Sequence, residues 1–321
     1  MNLDLFISNI TNPAFLFFIL GVISVKLKSD LEIPVSSSKF ISLYLLFSIG
    51  FKGGQELSHE SFSAEIAWSM LFGMALSLCI PIYTFFILKR RLSVADSAAI
   101  AAAYGSVSAV TFVTAVAYLD TQHMQLHGHM VAIMALMESP AIIAGLILMS
   151  VYDTEQQIGV SKRSVVRHSI TNGSVMLILG SLIIGLLANA KQAEGIKPFT
   201  NDIFKGFLAI FLLDMGIESG RKLSSFMSNG WFPLLFAVLV PLINGCAVAA
   251  LSAIVTDDIA NRFIFGILAA SASYIAVPAA MKIAIPRANP GLYLPMALAV
   301  TFPFNITIGM PLYMHIAQLR F

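Results

Sequence analysis

Charge is what this sequence has least of. Asp, Glu, Lys and Arg together make up 11% of its 321 residues, against roughly 25% in an ordinary soluble domain. That shortage excludes a conventional water-soluble globular chain. The only cysteines, Cys79 and Cys246, lie inside apolar runs. They read as small buried hydrophobes and exclude a disulfide framework. A formal net charge of +2 is too small for a nucleic-acid binder, so no nucleic-acid partner is expected. No Lys or Arg precedes the first apolar segment, NPAFLFFILGVISV, so it does not read as a cleavable signal peptide. Nucleophile motifs, a phosphate-binding glycine loop and a helical HExxH pair are all missing. Their absence argues against an enzyme and against an ATP-driven pump on this chain.

What is present is apolar: 58% hydrophobic residues and a mean hydropathy of +0.85. Ten hydrophobic segments stand out, at approximately 12–27, 37–53, 63–88, 93–118, 129–151, 171–190, 199–219, 230–256, 258–284 and 290–316. A hydrocarbon core of about 30 Å needs roughly 20 residues of helix. The segments lack the alternation of a barrel strand, so helices are the remaining way to satisfy the backbone in lipid. The expected class is an all-α integral membrane protein with about ten transmembrane helices. Of the 19 Lys and Arg residues, 13 fall on one side of this arrangement, including Lys26, Arg90, Arg163, Arg221 and Arg287, and 6 on the other. The positive-inside rule makes the richer side cytoplasmic and puts both termini outside. The basic loop YDTEQQIGVSKRSVVRH (152–168) is then cytoplasmic, either as a plain topogenic loop or as a docking site for a cytosolic partner.

The chain also repeats itself. IGFKGGQEL (49–57) aligns with MGIESGRKL (215–223), placing Gly50 on Gly216, Gly54 on Gly220 and Leu57 on Leu223 at an offset of 166. GSVSA (105–109) aligns with ASASY (270–274), placing Ser106 on Ser271 and Ser108 on Ser273 at 165. This offset equals five segments. Five is odd, so the second copy enters the membrane from the opposite side, as in the inverted repeats of many secondary transporters. The expected organisation is a first five-helix repeat at 1–153, a cytoplasmic linker at 154–170 and a second, inverted repeat at 171–321. The fourth and ninth segments carry the polar and helix-breaking residues. Gly105 and its neighbouring hydroxyls lie in one; Ser271, Ser273 and Pro278 lie in the other. Two interrupted helices facing each other are expected there, with Pro278 freeing the carbonyl of Tyr274. Half-helix N-termini would offer N–H groups to an anion, while freed carbonyls and hydroxyls suit a hard cation such as sodium. Small residues that merely pack helices together are the plainer alternative.

Charges inside the segments are few. Glu138, in ALMESPAII, is nearly central in the fifth, where a carboxylate costs at least ~2.5 kcal/mol. It reads as a cation ligand, a protonated structural acid or a proton carrier. Asp214 and Glu218 share one face of the seventh segment. Asp214 is a second ion-site candidate, while Glu218 can pair with Arg221 or Lys222 near the helix end. The outer connection DTQHMQLHGHM holds His123, His127 and His129. No cysteine accompanies them, and they read as a hydrated loop, so no metal beyond sodium is assigned.

Taken in order, SIGFKGGQEL, YGSVSAVTFVTA, MESPA, DMGIESGRKL and LAASASYIAVPAAMKIAIPRANPGLY resemble the sodium-dependent bicarbonate transporter family of bacteria. The likeness spans nearly the whole chain and is most specific over 269–290. It implies ten spans in core and gate domains, two interrupted crossing helices and sodium-coupled bicarbonate uptake by alternating access. It further implies an anion pocket at Gly105, Ser106, Ser108, Ser271, Ser273 and Tyr274, and sodium held near Thr111, Glu138, Asp214 and Tyr274. Sodium is the coupling ion, and no organic cofactor is implied. Relatives suggest a homotrimer in the bacterial inner membrane and, in cyanobacteria, a small cytosolic regulator of the nitrogen-regulator (PII-like) type. The sequence departs from that pattern where Tyr274 replaces an acid and Ala276-Val277 replace a Ser-Gly pair. Ala109 and Val110 likewise replace Gly and Ser at the first break, and the long regulatory insertion between the fifth and sixth segments is absent. A sodium–proton antiporter, a sodium symporter of another small organic anion, and a membrane receptor without transport are the alternatives.

Overall fold

A computed structural model describes residues 13–60, 63–153, 173–226 and 230–319. The linker expected at 154–170 lies outside the described residues. Among those described, the secondary structure is entirely helical. In chain order the helices are α1 (Pro13–Lys26), α2 (Val35–His59), α3 (Ala64–Leu88), α4 (Val94–Gly105), α5 (Ala109–Thr121), α6 (Gly128–Tyr152), α7 (Gly173–Leu187), α8 (Ala190–Lys197), α9 (Phe204–Phe226), α10 (Trp231–Leu251), α11 (Ile259–Ala270) and α12 (Ala276–Ala284). A final span, α13, runs over Pro290–Ala317. Five spans among the described residues are long and apolar enough to cross a membrane: α3, α4 with α5, α6, α10 extended to Ile254, and α13. Each of the ten hydrophobic segments contains helix. α2 runs to His59, beyond the expected 53, and α9 runs to Phe226, beyond the expected 219, after a π-helical turn at Pro198–Asp202.

Polar side chains mark where helices begin. Ser63 accepts from the Ile66 N–H at the start of α3. Asp258 accepts from the Asn261 N–H at the start of α11, and Asn289 from the Gly291 N–H at the start of α13. Ser93 caps α4 by accepting from the Asp96 N–H while donating to the Asp96 carboxylate. These contacts occupy first-turn donors that the helix itself leaves unpaired. In α13, Pro295, Pro303 and Pro311 flank the π-helical turns at Met296–Thr301 and Asn305–Gly309. A proline has no N–H for the carbonyl behind it. Ser219 of α9 donates to the Leu298 carbonyl, within the first of these turns, at 3.0 Å.

Large apolar side chains face outward along α1 (Leu16, Leu20), α3 (Trp68, Leu71, Leu78) and α10 (Trp231, Leu239, Ile243), as lipid contact requires. The interior is filled instead by α4 and α11. All residues of α4 from Ser97 to Gly105, and all of α11 from Ala260 to Ala270, are buried. α4 is rich in alanine, which lets α3 and α6 approach closely. Away from this centre, α1 packs on α9 and α2 on α7. Each pair meets at glycines: Gly21 against Gly216, and Gly54 against Gly185. A Cβ on any of the four would collide with the opposing backbone.

Candidate functional site

The fourth and ninth segments are both interrupted, and the two interruptions touch. α4 stops at Gly105, where a side chain would run into the ring of Pro81 on α3. Ser106 follows in extended conformation. The chain resumes helix at Ala109, with Ser108 accepting from the Thr111 N–H at 3.2 Å. α11 stops at Ala270, Ser271 is again extended, and α12 begins at Ala276 with the Val277 N–H donating to Ser273 Oγ at 3.4 Å. Two hydrogen bonds tie the breaks together. The Ser108 N–H donates to Ser271 Oγ at 3.0 Å, and the Ser273 N–H donates to the Ala103 carbonyl at 2.8 Å. Each break thereby uses backbone groups that the other leaves unpaired.

Pro278 plays a different part from the one its sequence position suggests. It is the third residue of α12, in the first turn, where backbone N–H groups lack intrahelical partners anyway. It starts the second half-helix rather than splitting a continuous one. The carbonyls at the end of α11 are satisfied by side chains that the motif reading passed over. Asn244 of α10 donates to Ala269 O at 3.2 Å, and Asn305 of α13 to Ala270 O at 2.8 Å. Tyr313 then donates to Asn305 Oδ1 at 3.1 Å. Tyr104, at the end of α4, shares a 2.7 Å hydrogen bond with Thr301, which in turn donates to Ala237 O. The available signal was an asparagine inside an apolar run, in LINGC and FNITIG.

A small pocket opens beside the crossing. It is lined by Val107, Ser108 and Ala109 of the first break, Ser273, Tyr274 and Ile275 of the second, Met134, Ala135 and Glu138 of α6, and Ile178 of α7. The space open to the centre of a water-sized sphere is about 20 Å³. One water or monatomic ion needs roughly 10–15 Å³ on that measure, so the pocket takes one such occupant and not a four-heavy-atom anion. Glu138 is 7% exposed, and its carboxylate has no hydrogen-bond or ion-pair partner among the described residues. It faces the N-terminal ends of α5 and α12, whose dipoles favour negative charge.

Of the expected site residues, Ser108, Ser273, Tyr274 and Glu138 line this pocket. Ser271 holds the crossing together from behind. Thr111 is buried one turn along α5, its N–H taken by Ser108. Gly105 packs on Pro81, and the buried hydroxyl of Ser106 has no hydrogen-bond partner among the described residues. Asp214 does not line the pocket: on α9, next to the Met215 that Tyr274 reaches, it accepts from Ser38 of α2. Glu218 pairs with Lys222 at 3.3 Å and Arg221 at 3.8 Å. Tyr274 sends its hydroxyl toward Met215 Sδ on α9, 3.6 Å away. It thus connects the crossing to the α1–α9 pair.

Lipid-length apolar helices around two interrupted, mutually capped spans define a multi-pass membrane protein of the transport class. The family model for the Na+-dependent bicarbonate transporter superfamily matches residues 13–318, and the chain belongs to that family. It is a family of transporters and not of enzymes, and the ion in its description is sodium. No curated protein matches the chain.

Proposed function

We propose that this protein takes up bicarbonate in symport with sodium, by alternating access around the crossing of the two interrupted spans. The observation that carries the reading is the meeting of both breaks beside an unpartnered, buried carboxylate. Sodium is bound by Glu138 with hydroxyl and carbonyl oxygens of the two breaks. The anion sits against the N-terminal N–H groups of α5 and α12. Either ion alone leaves uncompensated charge in a low-dielectric site, so both are needed before the site closes. The pocket as shaped here holds the cation but is too small for the anion. Bicarbonate entry therefore requires the pocket to widen, and among the described residues Ile178 of α7 is the one lining residue outside the two breaks and α6.

In this reading the chain is two inverted five-helix repeats. The exchanged pairing of α1 with α9 and α2 with α7 supports it, because swapping the halves maps one pair onto the other. Spans one, two, six and seven then form the gate and the remainder the core. Placement in a bacterial inner membrane with both termini outside rests on the basic-residue count and the resemblance. Assembly as a trimer and control by a PII-like cytosolic regulator rest on the resemblance alone.

The test is labelled bicarbonate uptake into proteoliposomes, with and without an inward sodium gradient. Sodium-dependent uptake is expected, falling at least tenfold in Glu138→Gln, equivalent to about 1.4 kcal/mol. Uptake that ignores sodium, or a Glu138→Gln protein that transports normally, overturns the assignment. The buried, unpaired Glu138 also suits a proton carrier in a sodium–proton antiporter. Sodium-driven proton movement without any added anion would select that mechanism instead.

A further inference from the structure

The outer connection between α5 and α6 holds a cluster that the transport reading does not use. Glu60 ends α2, and its Oε1 accepts from the Gly128 N–H at 2.8 Å, at the first residue of α6. Its Oε2 lies 2.8 Å from His129 Nδ1, while His127 Nδ1 is 3.4 Å from Oε1. One donor atom from each of Glu60, His127 and His129 lies within 4.8 Å of the others. The third histidine of the loop, His123, stands outside the group.

We propose that Glu60, His127 and His129 form a binding site for a divalent transition-metal ion of the zinc class, bridging the outer ends of α2 and α6. Two imidazole nitrogens with one carboxylate favour such an ion over calcium or magnesium, which prefer all-oxygen shells. Donor atoms on a tetrahedral ion with bonds near 2.1 Å sit roughly 3.4 Å apart. The observed separations require only small side-chain adjustments to match. The far side of His127 is already oriented for this role: its Nε2 faces the Asp258 carboxylate at 3.5 Å. A proton on Nε2, held toward Asp258, leaves the Nδ1 lone pair for the metal, the outer-shell arrangement common to metal-binding histidines. His129 is buried, and among the described residues nothing accepts from or donates to its Nε2. Its polar contact is therefore made through Nδ1, toward Glu60. His127 keeps about two-fifths of its side chain exposed, which leaves the ion a path in and a position for water.

The experiment is a zinc titration of chelator-stripped, tag-free protein in detergent, followed by calorimetry and by the thermal unfolding midpoint. One ion per chain is expected, with a raised midpoint, because binding to the folded form alone stabilises it. His129→Gln and Glu60→Gln should abolish both signals, and His123→Ala should change neither. Asp258→Asn, on the exposed rim, should weaken binding by roughly 10–100-fold through loss of the orienting contact. It also serves as the variant to rely on if a buried substitution prevents folding. Absence of zinc binding, a signal that survives in the folded variants, or loss of the signal in His123→Ala overturns the site.

Discussion

The two helix breaks do the same job with different materials. The first is short: three residues, none of them proline, separate α4 from α5, and Gly105 lets Pro81 of α3 approach. Its unpaired groups are met by backbone and serine. The second spans five residues, with Pro278 in the helix that follows, and Ala270 occupies the place corresponding to Gly105. Its carbonyls are met by amide side chains from α10 and α13. The first break is thus fixed by shape and the second by side-chain chemistry. The same kind of substitution should therefore have unequal effects in the two.

Gly105→Ala should produce the largest effect. The added Cβ would fall inside the ring of Pro81, which is fixed in the α3 backbone and cannot rotate away. A cost of about 3 kcal/mol follows, the upper part of the usual range for overpacking. It should be visible as a lowered unfolding midpoint in detergent and reduced yield. Ala270→Gly, at the corresponding place, should cost about 1–2 kcal/mol, the helix penalty of glycine plus the loss of one buried methyl group. Equal losses would remove the distinction between the breaks.

Asn305→Leu tests the second break from the other side. The side chain keeps nearly the same bulk, but Ala270 O loses its amide donor in a buried site, while the Tyr313 hydroxyl keeps its hydrogen bond to Pro241 O. Leaving such a group unsatisfied costs about 1–3 kcal/mol. The first break offers no equivalent target, because Ala103 O is held by a backbone N–H. A loss below ~0.5 kcal/mol in chemical unfolding would show that the amide is not what closes α11.

The sequence made the breaks themselves legible, since Ser-x-Ser runs and Gly105 interrupt otherwise apolar helices. Glu138 was legible too, as a lone acid at mid-depth. What could not be read was which backbone groups meet across space. The Ser108–Ser271 and Ser273–Ala103 contacts join residues about 165 positions apart and depend on how α4 and α11 cross. Asp214 illustrates the converse. It too lies inside an apolar segment, but it sits on α9, beside the Met215 that Tyr274 reaches, and it accepts from Ser38 of α2 rather than lining the pocket. Asn244 and Asn305 were missed because they are neutral. In a membrane interior a neutral amide can still be required wherever a helix ends in mid-span.

The smallest expected contrast lies between the capping serines. Ser108 accepts from Thr111 N at 3.2 Å, whereas Ser273 is 3.4 Å from Val277 N, at the outer edge of a real hydrogen bond. Ser108→Ala should therefore cost about 1 kcal/mol, the usual value of a helix cap, and Ser273→Ala only a few tenths. Both hydroxyls line the pocket, so sodium dependence gives a second readout. If both oxygens bind the ion, both variants should need more sodium for half-maximal uptake, whatever their stability. If the sodium requirement shifts only in Ser108→Ala, in parallel with its lost stability, then the serines act as caps that hold the breaks in shape, and the ion is bound by Glu138 and backbone carbonyls.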